Sequence, residues 1–322
     1  MSGEWTPARV RERLGFVTGM TWGWTGVRGT WAVPAAEESL DALAEIGVGW
    51  NCVTYAALQD KPSTTEIHWR DEPTVTDDEI RWAIRGARAR GQKVILKPVV
   101  NCADGTWRAF IGFFEVDVPG EPGWAQWWAS YTEFIVHHAR IAQDERVELF
   151  VIGCEMVRAD RREAEWRELI RRVRAVYDGP ITYNCDKYQE DRITWWDAVD
   201  VISASGYYPS GAWPAQLDRI EKVVRAHNKP FLFIEAGCPS RGGSAARPND
   251  WTFGGQADPQ EQADYLAEMF AEAGAREWVD GFVLWDWPAR LYPREDAASN
   301  RDYCPYAKPG ADVVREFFLA RG

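Results

Sequence analysis

Histidine is scarce in this chain: His68, His137, His138 and His227 are all that 322 residues contain. No HExxH is present and no HxH falls on an apolar run, which excludes the common zinc-hydrolase arrangements. His137, His138 and His227 fall on stretches that read as helices, and the adjacent His137 and His138 are expected not to share one helix face. No GxSxG occurs, so a serine nucleophile elbow is excluded. No glycine-rich loop follows the first apolar run, which argues against a dinucleotide or phosphate cradle. The six cysteines (Cys52, Cys102, Cys154, Cys185, Cys238 and Cys304) show no CxxC or zinc spacing. They read as reduced, buried thiols, with a disulfide between neighbouring strand ends as the alternative. Cys154 has no histidine placed to activate it as a nucleophile. No apolar run approaches the length of a membrane span. Met1 to Arg13 is polar and charged, without the apolar centre of a signal peptide, so a cytoplasmic location is expected. A formal net charge of −12 repels phosphates and argues against nucleic acid or an anionic membrane as partner. A neutral ligand such as a sugar suits it.

Tryptophan, by contrast, is abundant, at 19 residues. An indole fills a core, and it also stacks on the C–H face of a pyranose while its N–H donates a hydrogen bond. At least half are expected in the core. Trp22, Trp24, Trp285 and Trp287, at the ends of apolar runs, are the candidates for a sugar platform.

Short apolar runs alternate with amphipathic stretches along the whole chain, the pattern of βα units around a parallel sheet. Eight strands are predicted, roughly at 15–24, 48–56, 93–101, 148–155, 180–185, 201–208, 230–235 and 281–287. Helices are predicted at 35–46, 77–90, 124–143, 162–177, 213–228, 260–273 and 309–321, with a short one at 195–198. Eight repeats without an interior linker predict an α/β fold, a single (β/α)8 TIM barrel over residues 1–322. An open doubly wound sheet is the alternative. The long segments 59–76, 102–123, 239–259 and 288–305 all come directly after strands, so they gather as long βα loops on the C-terminal rim, where barrel enzymes place their sites.

Two runs carry the chemistry. Glu148 to Met156 ends in Glu155, and Pro230 to Cys238 contains Glu235. A carboxylate closing an apolar strand is costly to bury without a purpose. Strands four and seven face one another across a barrel mouth, and a facing pair of carboxylates is the machinery of glycoside hydrolysis, set about 5–5.5 Å apart when configuration is retained. The alternative for either glutamate alone is a buried ion-pair partner, a reading that weakens for two at matching strand ends. Tyr207 is placed to hydrogen-bond Glu235 and keep it ionised, in preference to Tyr208, because alternation turns one of them away. Trp285 is the expected floor of the cleavage site. Lys97, Asn101 and Asn184 are candidates for binding sugar hydroxyls, although capping a loop explains them as well. A ring of Glu155, Asp186, Glu235 and Asp286 could hold Mg²⁺ or Mn²⁺ as in sugar-isomerase barrels, but the strand-borne histidine usual in such sites is missing. No metal and no cofactor are therefore expected.

The motifs Gly23-Trp24, Leu96-Lys97-Pro98, Ile152-Gly153-Cys154-Glu155-Met156, Thr182-Tyr183-Asn184, Trp196-Asp197-Ala198-Val199-Asp200, Tyr207-Tyr208-Pro209, Phe233-Ile234-Glu235-Ala236-Gly237 and Leu284-Trp285-Asp286 succeed one another across nearly the whole chain. In that order they resemble the clan of retaining (β/α)8 glycosidases and, more narrowly, glycoside hydrolase family 113, the β-mannanases. The resemblance implies Glu155 as acid/base, Glu235 as nucleophile, and β-1,4-linked manno-oligosaccharides or mannan as substrate. It departs from the wider clan at Cys154, where many members carry an asparagine that contacts the sugar 2-hydroxyl. A transglycosylase would share every residue named, and a non-catalytic sugar-binding barrel would share the platform.

Overall fold

The computed structural model describes residues 5–116 and 118–321. Eight strands close into one barrel in sequence order: β1 (Val17–Trp22), β2 (Trp50–Gln59), β3 (Lys93–Cys102), β4 (Leu149–Cys154), β5 (Ile181–Cys185), β6 (Val201–Gly206), β7 (Phe231–Ala236) and β8 (Val279–Trp287). Every neighbouring pair is parallel, and β8 closes on β1. Among the described residues, seven α-helices connect and close these strands: α2 (Pro34–Glu45), α3 (Asp77–Ala89), α4 (Trp124–Asp144), α5 (Glu163–Arg174), α6 (Trp213–His227), α7 (Pro259–Ala273) and α8 (Pro309–Leu319). The expected (β/α)8 barrel is therefore the fold. Among the described residues no helix is long and apolar enough to cross a membrane.

One further helix, α1 (Pro7–Leu14), is absent from the sequence-based prediction. The polarity that argues against a signal peptide conceals two apolar residues one turn apart, Val10 and Leu14. Both are buried with the barrel's inner residues Val17, Trp50, Cys52, Ile95, Leu149, Val151, Val201, Leu232, Ile234 and Val283. α1 thus plugs the N-terminal end, and the interior is solid up to the rim.

The local chemistry of the outer helices is readable. α3 begins in a capping box: the Thr76 hydroxyl accepts from Glu79 N at 3.2 Å, and Thr76 N donates back to the Glu79 carboxylate at 2.9 Å. Its buried residues Ile80, Ala83, Ile84 and Ala87 recur at helical spacing on one face. Most tryptophans fill the layer between helices and barrel. Trp31, Trp124, Trp127, Trp166, Trp195, Trp196 and Trp213 are all fully buried there.

Three irregularities in the barrel set the direction of side chains at its rim. In β4, Val151 pairs with Thr182 but Cys154 pairs with Asn184, so one residue is extra. Gly153 sits in that bulge, where a Cβ would come within 2.7 Å of Trp166 and 2.8 Å of the Tyr131 hydroxyl. In β7, Phe233 pairs with Ala204 but Glu235 pairs with Ser205, leaving Ile234 as the extra residue. In β8, Leu284 pairs with Met20 and Trp287 with Trp22, again with one residue too many. Bulges re-aim the side chains that come after them.

Candidate active site

The bulge in β7 decides where Glu235 points. Leu232 and Ile234 both face into the barrel, so strict alternation would send Glu235 outward. The extra residue turns it inward instead. There its Oε1 pairs with Lys97 Nζ and accepts from Cys154 Sγ at 3.3 Å, and its Oε2 accepts from the Tyr207 hydroxyl at 3.1 Å. Burial works against the Glu235 charge, but Lys97 and Arg108, with hydrogen bonds from Lys97 and Cys154, hold its carboxyl below the ordinary carboxylate range. Tyr207 is pushed the other way by burial and by Glu235, so it remains a donor. Burial likewise raises the Cys154 thiol and keeps it neutral.

Glu155 lies one residue past β4 with φ of 51°, a conformation that costs a non-glycine residue about 1 kcal/mol or more. Its N–H donates to Asn184 O at 2.8 Å. Oε1 of its carboxylate accepts from the Ser205 hydroxyl at 2.7 Å. Oε2 accepts from Arg108 Nη2 at 2.8 Å and from the Trp107 indole at 3.2 Å.

A continuous hydrogen-bonded path joins the two carboxylates through the barrel. Lys97 Nζ, beside Glu235, also donates to Asn184 Oδ1 at 2.6 Å. Asn184 Nδ2 donates to Ser205 Oγ at 3.0 Å, and Ser205 donates to Glu155. Lys97, Asn184 and Ser205 are all fully buried. Lys97 and Asn184 thus hydrogen-bond along this path beneath the carboxylates. Asn101 is half-buried, and its Oδ1 accepts from Arg108 Nη1 at 3.0 Å.

The expected aromatic platform divides. Trp285 lies against Tyr207 and Tyr303 with Trp24 packed on it, the Trp24 and Trp285 rings 5.0 Å apart. The exposed Trp251 packs on Tyr303 at 4.7 Å. Trp285 Nε1 is buried without a hydrogen-bond partner. Trp22 and Trp287 are not part of the platform. Both are fully buried outside the barrel, donating to Ser39 Oγ at 3.0 Å and Ser39 O at 3.1 Å. Trp22 comes two residues after the outward-facing Met20, and the β8 bulge turns Trp287 outward as well. Tyr208, the alternative to Tyr207, points away and donates to Glu190 at 2.6 Å.

Arg108, Ser205 and Trp107 join the site without having been candidates from the sequence. Ser205 is legible by alternation from Val201. Arg108 and Trp107 lie in an irregular loop with no periodicity to place them. All six cysteines are free and buried.

Among the described residues, the set of acidic, histidine or cysteine side chains whose ligand atoms gather within 4.8 Å is Asp77, His137 and His138. Ligand atoms of both histidines therefore do approach one point, with Asp77 of α3, contrary to the helix-face argument. His137 Nε2 is 2.8 Å from the Asp77 carboxylate, and His138 Nδ1 is 2.8 Å from Phe134 O. Glu155, Asp186, Glu235 and Asp286 do not converge in this way. The cations Lys97 and Arg108 sit on the two glutamates instead.

Three carboxyls around the rim are pushed up to about 7. Burial does this to Asp160, with Glu155 adding to it, and to Asp186, again with Glu155. It also does so to Asp286, with Asp302 and Glu235. Each folded value lies above the ordinary carboxylate value near 4. Between roughly pH 4 and 7 the native state therefore binds more protons than the unfolded chain, and stability falls as pH rises through that window. Among the groups of opposite sign, Glu235 acts only below that range, and His138, which burial lowers to about 3, opposes the trend up to about pH 6.5 as one imidazole against three carboxyls. The melting temperature is expected to be higher at pH 5.5 than at pH 8 by roughly 2 °C or more. Asp160→Asn, which removes the charge and retains an acceptor for Tyr183, should flatten this dependence. Calorimetry at both pH values is the check, and an equal or steeper dependence in the variant would contradict the sign.

Comparison with known proteins points one way. The family model described as Glycoside Hydrolase Family 113 matches residues 20–308. Among solved structures, one described as a complex of a GH113 β-1,4-mannanase is 50% identical with a TM-score of 0.94, covering 95% of this chain and 99% of its own. The GH113 β-mannanase AaManA from Alicyclobacillus acidocaldarius, solved with ManMIm, is 44% identical with a TM-score of 0.93, covering 96% and 99%. A β-glucuronidase of Faecalibacterium prausnitzii, 13% identical with a TM-score of 0.62 over 95% of this chain and 49% of its own, shares the fold. No curated protein matches.

Proposed function

The chain belongs to glycoside hydrolase family 113, and from that premise we propose that it cleaves β-1,4-linked mannosides with retention of configuration, Glu235 acting as nucleophile and Glu155 as acid/base. The observation that carries this reading is the unequal setting of the two glutamates. Glu235 is paired with a buried ammonium and kept ionised, as a nucleophile must be. Glu155 lies beside the exposed Trp107, where a leaving group can enter.

In the first step Glu235 attacks the anomeric carbon while the Glu155 proton passes to the departing glycosidic oxygen. In the second, Glu155 takes a proton from water, which releases the sugar from Glu235. Tyr207 and Lys97 hold the Glu235 carboxylate, and Trp285 forms the floor with Trp24 and Trp251 beside it. The unpartnered Trp285 N–H, buried with no acceptor, is a donor available to a sugar hydroxyl. The chemistry requires no cofactor, and residues 1–322 are read as one catalytic barrel. The free thiols suit a reducing compartment, so the enzyme is assigned to the cytoplasm, acting on imported oligosaccharides.

β-1,4-Manno-oligosaccharides, with gluco- and xylo-oligosaccharides alongside, provide the test. Mass analysis should show shortened manno-products, and early NMR spectra should show the new reducing end as the β-anomer. No reducing ends after hours would leave only a sugar-binding barrel. An α-anomer would rule out the double displacement, and transfer to added acceptor sugar in preference to water would make it a transglycosylase.

A further inference from the structure

We infer that Arg108 is the positioning residue that carries Glu155 through its change of charge, receiving the carboxylate as its proton leaves for the sugar oxygen. This rests on the assignment of Glu155 as acid/base.

Arg108 comes from the β3–α4 loop, at the start of the short 3₁₀ turn Arg108–Phe110, and is 7% exposed. Every arm of its guanidinium is fixed. Nε donates to Cys154 O at 3.1 Å, Nη1 to Asn101 Oδ1 at 3.0 Å, and Nη2 to Cys154 Sγ at 3.3 Å and Glu155 Oε2 at 2.8 Å. Its face lies 5.7 Å from the Trp24 ring centre. A charge held this firmly cannot track a moving partner, so Glu155 is referenced to it.

The donors around Glu155 describe its ionised form. Ser205, Arg108 and Trp107 all give hydrogen bonds to it. Of these, Ser205 can turn its hydroxyl and accept, whereas guanidinium and indole N–H groups only donate. A proton on Oε1 would be held by the buried Ser205, so the proton passed to the sugar sits on Oε2, beside the exposed Trp107, and there the acid form loses a donor. Trp107 is 41% exposed and Arg108 is locked, so Trp107 is the donor that the incoming leaving group displaces. As the O–H bond of Glu155 breaks and the C–O bond of the substrate opens, the negative charge appears on an oxygen already facing Arg108. Preorganised charge of this kind favours the transition state over the ground state. It also makes Glu155 a poorer base toward water in the second step. The benefit is therefore asymmetric, largest where the leaving group needs protonation.

Arg108→Gln and Arg108→Lys, each compared with wild type, provide the test. kcat/KM is measured across pH on a manno-oligosaccharide and on dinitrophenyl β-mannoside, whose leaving group departs without a proton. Arg108→Gln is expected to lose about 10²-fold on the oligosaccharide and less than about tenfold on the aryl mannoside. Its alkaline limb should move up by about one pH unit. Arg108→Lys, retaining the cation, should keep the limb near its wild-type position and recover part of the loss. Equal losses on both substrates with an unmoved limb would overturn the proposal and leave Arg108 a brace for Cys154 and Asn101. If the Gln variant does not fold, the Lys variant decides by the same ratio between substrates: a selective loss on the oligosaccharide supports the proposal, and an equal loss overturns it. Glu155→Gln in parallel separates the two levels. If its alkaline limb persists, the acid/base assignment has failed rather than the role of Arg108.

Discussion

Glu235→Ala should abolish turnover on manno-oligosaccharides, by roughly 10⁵-fold, the scale on which loss of a covalent nucleophile is felt. The surroundings of the residue add a second effect. Lys97 is fully buried, with Glu235 and Asn184 as its partners. Removing the carboxylate leaves an ammonium without its counter-charge, which costs about 3–5 kcal/mol when such a pair is broken. The alanine variant should therefore melt earlier than wild type while still folding. It should also hold a small cavity with a cation in its wall. Azide, small and anionic, fits both features and can attack the anomeric carbon from the side Glu235 occupied. With an activated aryl β-mannoside, azide should restore turnover and yield the α-mannosyl azide, since a single displacement inverts. A β-azide, or turnover above about one per cent without azide, would remove Glu235 from the nucleophile's place.

How much of this site is legible in the sequence depends on the parity of each strand. The barrel is readable because its strands are continuous apolar runs separated by amphipathic helices. Counting by twos from inner residues also works for half of the site. Ile95 leads to Lys97, Thr182 to Asn184 and Val201 to Ser205, all buried and facing inward. Parity fails at the bulges. From Ile234 it turns Glu235 outward, and from Trp285 it turns Trp287 inward, and the structure reverses both. A bulge is a pairing event between two strands, so one strand's sequence does not disclose it. The role of Lys97 escapes for a related reason. The sequence places it in the barrel but does not say that its nearest anion is 138 positions away. Arg108 is invisible because an irregular loop offers no period from which to derive direction.

Glu155→Gln should separate substrates by their leaving groups, and the surroundings of Glu155 explain why the variant will be otherwise well behaved. Glutamine keeps an acceptor for Arg108 or Ser205. The buried Arg108 loses its ion-pair partner but retains Cys154 O, Asn101 and the nearby charge of Glu235, so stability should fall by less than in Glu235→Ala. The variant cannot donate the acid proton. Cleavage of manno-oligosaccharides should fall by about 10²–10⁴-fold, the usual worth of a positioned general acid. Dinitrophenyl β-mannoside needs no proton to depart, so its first step should be nearly intact. The second step still lacks a base for water, so glycosyl–enzyme should accumulate on Glu235, visible as a burst of dinitrophenol and as a mass increase of one hexose on the intact protein. Azide, which needs no base, should then release the sugar as the β-azide, by two displacements. That product and the α-azide expected of Glu235→Ala form an opposed pair from one nucleophile. No exchange of roles between the two glutamates reproduces it, because each configuration reports how many times the anomeric centre was inverted.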